Sequence, residues 1–197
     1  MSAVPKLVTA EQYLVQERQA TFKSEFFRGE VFAMVGGSPN HSLIAANFAG
    51  EARELLKGKP CKVFNSELRV KVNASGLYTY PDASILCGEL QFDDQQEDTV
   101  TNPTVLIEVL SESTEKYDRG AKSGHYRKIP SLMELVLISQ YEPAVERFTR
   151  QENGGWLLVE SQELSDDVRL ESVGISVALS ELYRGVTFHA KVSGENC

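Results

Sequence analysis

No apolar run in the chain is long enough to span a bilayer, and the opening MSAVPKLVTAEQYLVQERQ has no apolar stretch of signal-peptide length. The expectation is a cytoplasmic protein with no membrane partner. Cysteine is scarce: Cys61, Cys87 and Cys197 are odd in number and lack metal-type spacing, which predicts free thiols, no disulfide and no zinc site. Basic excess is missing too. With 20 basic against 28 acidic side chains the formal charge is -8, whereas a protein that only neutralised phosphates would be basic. Any nucleic-acid role must then rest on a local patch or a bound cation. Trp156 is the only tryptophan, so an aromatic-lined sugar cleft has little to build on. Repeats, linkers and shifts of composition are absent, and one domain over residues 1–197 is expected, with a core over about 25–140 and a peripheral hairpin and tail over 141–197.

What is present reads as alternating strands and helices. Thr9 and Gln12 form a T-x-x-Q capping box that opens a helix to about residue 20. SEFFRGEVFAM alternates around Arg28-Gly29 as a pair of short strands. After the GGSPN loop, with Asn40 as its N-cap, HSLIAANFAGEARELLKG predicts a helix whose apolar face is Leu43, Ile44, Phe48, Ala52, Leu55 and Leu56. His41 falls at the rim of that stripe. Leu68, Val70 and Val72 mark a half-buried strand, and YTYPDASILC a second, with Pro81 near its start. GELQFDDQQEDTVTN is an acidic loop expected to be mobile. PTVLIEVLS is a third strand, and a helix capped by Ser113 or Thr114 runs to about Lys128. ELVLIS is another strand, VERFTR and WLLVE form a hairpin, and VALSELY is a short helix. The order predicts an α/β or α+β fold with a central mixed sheet flanked by helices.

The carboxylate of Glu108 sits inside the apolar run PTVLIEVL, where it is costly unless something positive meets it. Period-two alternation puts Thr104, Leu106, Glu108 and Leu110 on one face, and Asp82, Ser84 and Leu86 on one face of the preceding strand. If the strands are neighbours, Asp82 and Glu108 approach, and two close carboxylates need a shared proton or a divalent cation. Magnesium suits such oxygen donors. On the following helix Asp118, Lys122 and Tyr126 recur every four residues, so Lys122 can reach the acids to orient or deprotonate a water, or to stabilise negative charge. Read singly, each residue has a plainer role: Glu108 a structural ion pair, Asp82 turn chemistry, Lys122 a solvated helix residue, His41 a cap. Ser111 and Ser113 lack a nucleophile elbow.

YPDASILC, then PTVLIEVLSESTEKYDRGAKSGHYRKIPSL, with SEFFRGEVFAMVGGSPNHSLIAANFAGEARELLKGKPCKVF upstream and ELVLISQ downstream, resembles the Uma-two family of restriction endonuclease-like proteins, from about Tyr13 to Tyr183. The resemblance implies a PD-(D/E)XK core and Mg2+- or Mn2+-dependent cleavage of DNA. Pro81-Asp82 matches the PD element and Glu108 the second acid, so both would be metal ligands, with the Val109 carbonyl contributing. Leu110 stands where the superfamily has lysine, and Lys122 in YDRGAK matches the slot from which a helix lysine substitutes. Glu25, Glu30 and His41 match further family positions, Glu30 as a catalytic residue and His41 as a metal ligand. Ser139 departs from the acid that precedes glutamine in the family's LVDQ-like strand, leaving Gln140 without it. Fold analogy also implies a homodimer, with the C-terminal hairpin as interface. Arg69, Lys71, Arg119, Arg127 and Lys128 are candidates for a phosphate-facing patch. Two alternatives remain open: a nuclease fold that has lost its chemistry and binds nucleic acid or protein, and a metal-free acid–base pair acting on glycosides.

Overall fold

Residues 7–188 are described in the computed structural model of the protein. Reciprocal capping starts α1 (Ala10–Glu17): the Gln12 N–H donates to Thr9 Oγ1 at 3.2 Å, and the Thr9 N–H to Gln12 Oε1 at 3.0 Å. A turn with Arg28 and Gly29 both left-handed (φ 50° and 90°) pairs β1 (Ser24–Phe27) with β2 (Glu30–Ala33). Helix α2 (Pro39–Leu55) is capped by Ser38 rather than by Asn40, because Pro39 takes the first helical position, where no N–H is needed. Asn40 instead donates to the Thr187 carbonyl at 2.9 Å. The apolar face of α2 is also narrower than its sequence suggests. Ile44, Phe48 and Ala52 are buried, whereas Leu43 and Leu55 are 36% and 41% exposed.

Strands β3 (Cys61–Asn65), β4 (Arg69–Val72), β5 (Leu77–Thr79) and β6 (Ala83–Cys87) follow. The stretch YTYPDASILC is thus two strands in two different sheets, broken at Pro81, which has no N–H to give a ladder. The acidic loop is held rather than loose. It contains β7 (Thr99–Val100), and Arg18 grips Asp94 and Asp98 at 2.6 and 2.7 Å while Lys71 meets Asp93 at 2.5 Å. Arg69, only 3% exposed, pairs with Asp98 at 2.9 Å.

Strand β8 (Val105–Leu110) leads into a helical stretch that is divided in three where the sequence predicts one helix. It is α3 (Glu115–Tyr117), one π-helical turn (Asp118–Lys122) and α4 (Ser123–Tyr126). The chain ends with β9 (Glu134–Ser139), β10 (Val145–Arg150), β11 (Trp156–Ser161), β12 (Asp167–Leu170), β13 (Ile175–Ala178) and α5 (Leu179–Leu182).

The central sheet has the order β11-β10-β9-β8-β6-β3 and is mixed: β8 and β9 run parallel, its other pairs antiparallel. A second sheet runs β2-β1-β5-β4-β7, and β12 pairs with β13. Side-chain alternation divides the interior. Val105, Ile107, Val109, Val136 and Ile138 face α2 and the β12–β13–α5 segment. Leu106, Leu110, Leu135 and Leu137 face Tyr126, Ile129 and Leu132 and the second sheet's Val70, Val72 and Leu77. Glu108 lies in register with this second set. The hairpin expected at the periphery extends the central sheet by two strands.

The expectation of free thiols is corrected at two positions. Cys61 and Cys87 are directly opposed on β3 and β6, with Cα atoms 4.0 Å apart, and are joined as a disulfide. Spacing along the chain could not reveal this, because the strand register creates the pair. Cys197 lies outside the described residues.

Arg150 ties the hairpin to the turn after α4. It donates to the carbonyls of Leu132 (2.7 Å), Ile129 (2.7 Å) and Arg127 (3.0 Å), and its guanidinium lies 4.6 Å from the Trp156 ring centre. Arg150→Ala leaves three carbonyls short of a charged donor. We expect a loss of about 2–4 kcal/mol in urea unfolding, with Arg150→Lys recovering only part because an ammonium lacks the planar fork.

Candidate active site

The ladder between β6 and β8 pairs Ala83 with Ile107 and Ser84 with Leu106. One further step sets Asp82 against Glu108, the approach that alternation anticipates. Backbone pairing stops there, and the Asp82 side chain replaces it: Oδ2 accepts the Val109 N–H at 2.7 Å. The break at Pro81 thus frees Asp82 from the strand while keeping its carboxylate on β8. Glu108 itself is 4% exposed.

Lys122 meets Glu108 from the helix. Its Nζ lies 3.0 Å from Glu108 Oε1, 2.9 Å from Glu25 Oε1 and 3.6 Å from Asp118 Oδ1. The π turn helps to place it. A wider turn bulges the backbone, and the Asp118 carbonyl accepts both the Ser123 N–H that closes the turn and the Ser123 hydroxyl, the latter at 2.5 Å. Tyr126, one turn on, donates its hydroxyl to Glu108 Oε1 at 2.5 Å. Glu25 enters from β1, accepts the Thr79 hydroxyl at 2.5 Å and also bonds to Tyr117. Three elements therefore close on one ammonium: a central strand, a strand of the second sheet and the helix between them.

On the other flank, His41 Nε2 lies 3.2 Å from Asp82 Oδ2. His41 is held from behind by bare backbone, since a Cβ on Gly37 would sit 2.6 Å from its Nδ1. Ser38 donates its hydroxyl to Gln140 Oε1, and Gln140 Nε2 donates to the Leu110 carbonyl at 2.9 Å. This bridge fixes the start of α2 to the end of β8, and so His41 to Asp82. Leu110, in the slot where the superfamily carries lysine, is 2% exposed in the apolar layer.

The electrostatics follow from burial. Desolvation raises the Glu108 carboxyl to about 8; Lys122 opposes the rise, while the charges of Asp82 and Asp118 add to it. Asp118 is likewise raised, first by burial. For Lys122 burial works downward, but Glu108, Tyr126, Glu25 and Asp118 outweigh it and hold the amine well above its ordinary value. Burial would also lower His41; the hydrogen bond and charge of Asp82, a bond to the Val109 backbone and the charge of Asp118 turn the balance upward. At neutral pH the centre thus holds a charged lysine beside a Glu108 carboxyl that keeps its proton.

Of the residues singled out from sequence, Asp82, Glu108, Lys122 and His41 are brought together. Glu30 is not: it is exposed on β2, and no hydrogen bond or ion pair among the described residues links it to the cluster. Glu25 stands in the cluster instead. Its sequence signal is weaker than that of Glu108: an acid preceded by Lys23-Ser24 and followed by two phenylalanines. No three His, Cys, Asp or Glu side chains form a metal cage among the described residues. A hard divalent cation does not require one, since magnesium keeps several waters and takes one or two carboxylates. Asp82 and Glu108 fit that sparse donor set. The same Asp82 Oδ2 takes the His41 imidazole as a partner, and the contact raises the imidazole's pKa.

The wider patch envisaged from sequence does not form as a unit. Arg69 and Lys71 are engaged by Asp98 and Asp93, and Arg119 pairs with Glu115 at 2.8 Å and with Glu146.

Comparison with known proteins agrees with this architecture. A family model described as "Uma2: Putative restriction endonuclease" matches residues 10–180. Two uncharacterized proteins of Synechocystis sp. are similar over most of their length: slr1290 at 36% identity, covering 93% of this chain and 95% of its own, and sll1609 at 37%, covering 80% and 89%. A crystal structure from Anabaena variabilis, described as a putative nuclease belonging to DUF820, superposes with a TM-score of 0.72 at 18% identity, covering 89% of this chain and 97% of that one. Its likeness is one of fold, and it supports the restriction endonuclease-like arrangement of mixed sheet and helices. The match along nearly the whole sequence establishes that the chain belongs to the Uma2 family of restriction endonuclease-like proteins.

Proposed function

We propose that the protein is a divalent-metal-dependent endonuclease that hydrolyses phosphodiester bonds in DNA, with Asp82 and Glu108 as the metal ligands. One observation carries this reading: Glu108 and the Asp82 carboxylate, which is bonded to the next residue's N–H, lie at one buried site whose lysine is already shared by Glu25, Glu108 and Asp118. In exchange for the Glu108 proton, Mg2+ or Mn2+ with its waters would be held by these two acids. A bound divalent cation polarises the phosphoryl oxygen and lowers the pKa of a coordinated water.

The protein's own groups have separate tasks. Lys122 stays protonated, so it is a poor base; it holds Glu25 and Glu108 in place and offers positive charge to a phosphate that enters. Tyr126 fixes one oxygen of Glu108. His41 orients Asp82 through Oδ2, a role the geometry favours over direct metal ligation, since a hard cation prefers oxygen to imidazole nitrogen.

A second reading draws on the same contacts. The Lys122 ammonium already touches three carboxylates, and a fold that needs only this internal cation would be a binding module without chemistry. Plasmid cleavage with Mg2+ or Mn2+ separates the two. Asp82→Ala and Glu108→Gln are expected to lower the rate by at least about 10²-fold while circular dichroism is unchanged. Cutting at wild-type rate by both variants would remove the assignment.

Glu108 also sets a pH dependence. Its folded value, about 8, lies above the ordinary carboxylate value, so the metal-free folded state holds a proton that the unfolded chain has released. Stability from this group is present below the unfolded pKa and is lost as pH rises through about 8. Metal binding displaces the same proton. Calorimetry in buffers of different ionisation heat should show proton release on Mn2+ binding at pH 7, fading above about 8 and absent in Glu108→Gln.

A further inference from the structure

The strand and helix that carry Glu25 and Lys122 continue into a second polar cluster. Two residues beyond Glu25 on the same face of β1, the Phe27 ring lies against the His125 imidazole with centroids 4.7 Å apart. The Arg28 guanidinium lies 5.0 Å from the centre of the same Phe27 ring. Arg28 and Lys128 are both exposed, and no carboxylate lies within ion-pair distance of either among the described residues. Arg18, Lys71 and Arg119, by contrast, are matched by carboxylates.

The two cations act on the imidazole between them. Burial, then Lys128 and Arg28 by their charge, hold His125 below its ordinary value, and its Nδ1 is buried without a hydrogen-bond partner. The helix beside them is bare, since a Cβ at Gly120 or Gly124 would meet nothing within 4 Å. A bulky anion can therefore approach the helix backbone between the active-site lysine and Lys128.

We infer that Arg28 and Lys128, braced by Phe27 and His125, form a second anion site that holds the phosphodiester backbone of duplex DNA away from the scissile bond. The site rests on the nuclease reading of the acidic centre and extends it to how the substrate is held. Two residues of strand cover about 7 Å, roughly the through-space separation of successive phosphates on one strand. The cluster therefore meets a neighbouring phosphate rather than the one at Lys122. A cation pair at that offset neutralises backbone without reading bases, so it contributes affinity and register rather than sequence preference. Because β1 also carries Glu25 and the helix also carries Lys122, the offset between grip and cut is fixed by the fold.

The test is fluorescence anisotropy with a fluorescein-labelled 20-base-pair DNA duplex in EDTA, across 50–200 mM KCl. The variant is Arg28→Asn with Lys128→Gln; asparagine tolerates the left-handed backbone at position 28. A control, Arg53→Gln with Lys62→Gln, removes the same charge from exposed residues elsewhere. The variant is expected to bind about tenfold more weakly at 100 mM salt, with the slope of log affinity against log salt reduced by about two, while the control stays near wild type. Wild-type binding by the variant, an equal loss in the control, or no binding by the wild-type chain would overturn the inference. Cleavage by Asp82→Ala, run in parallel, keeps the two readings apart. If the variant binds normally but Asp82→Ala does not cut, only the second site falls. If the variant loses binding but Asp82→Ala cuts normally, only the acidic centre falls.

Discussion

The ammonium of Lys122, enclosed by Glu25, Glu108 and Asp118, is the contact on which the arrangement depends. It joins three pieces of chain that share no hydrogen-bonded ladder: β1 of the second sheet, β8 of the central sheet and the helix laid between them. Removing the lysine would strand buried carboxylates with no counter-charge. Removing Glu108 would leave the lysine two acids. A buried cluster of this kind adds little net stability over an apolar core.

The break at Pro81 explains how the second acid is presented. Had YTYPDASILC remained one strand, the Asp82 backbone would be spent on ladder bonds. Instead the chain changes sheets, and the Asp82 side chain takes the Val109 N–H that pairing leaves over. The same local failure of regular structure recurs at the helix, where a π turn carries Lys122. Both irregularities lie at the cluster, while the apolar rows around it alternate without interruption.

Much of this was legible in the sequence. Period-two alternation put Glu108 and Asp82 on faces that approach if their strands are neighbours, which the β6–β8 ladder makes them, and the four-residue spacing put Asp118, Lys122 and Tyr126 on one side of the helix. What escaped were features created by long-range register. Cys61 and Cys87 meet only because β3 pairs with β6, so their linear spacing says nothing of a disulfide. The acidic loop looked unstructured because its partners, Arg18, Arg69 and Lys71, lie far away in sequence. Glu30 and Glu25 were hard to separate from sequence, since each lies in a short alternating strand. The structure separates them by burial, with Glu25 at 8% exposure and Glu30 in solvent.

The central claim is that the buried acids accept a divalent ion in addition to the lysine. A crystal soaked in Mn2+ and measured at the manganese absorption edge tests it most directly. An anomalous peak bonded to both the Asp82 and Glu108 carboxylates, with Lys122 still close by, is the predicted result. An anomalous map with no peak at those oxygens, with His41 and Lys122 still the partners of the two acids, would contradict it.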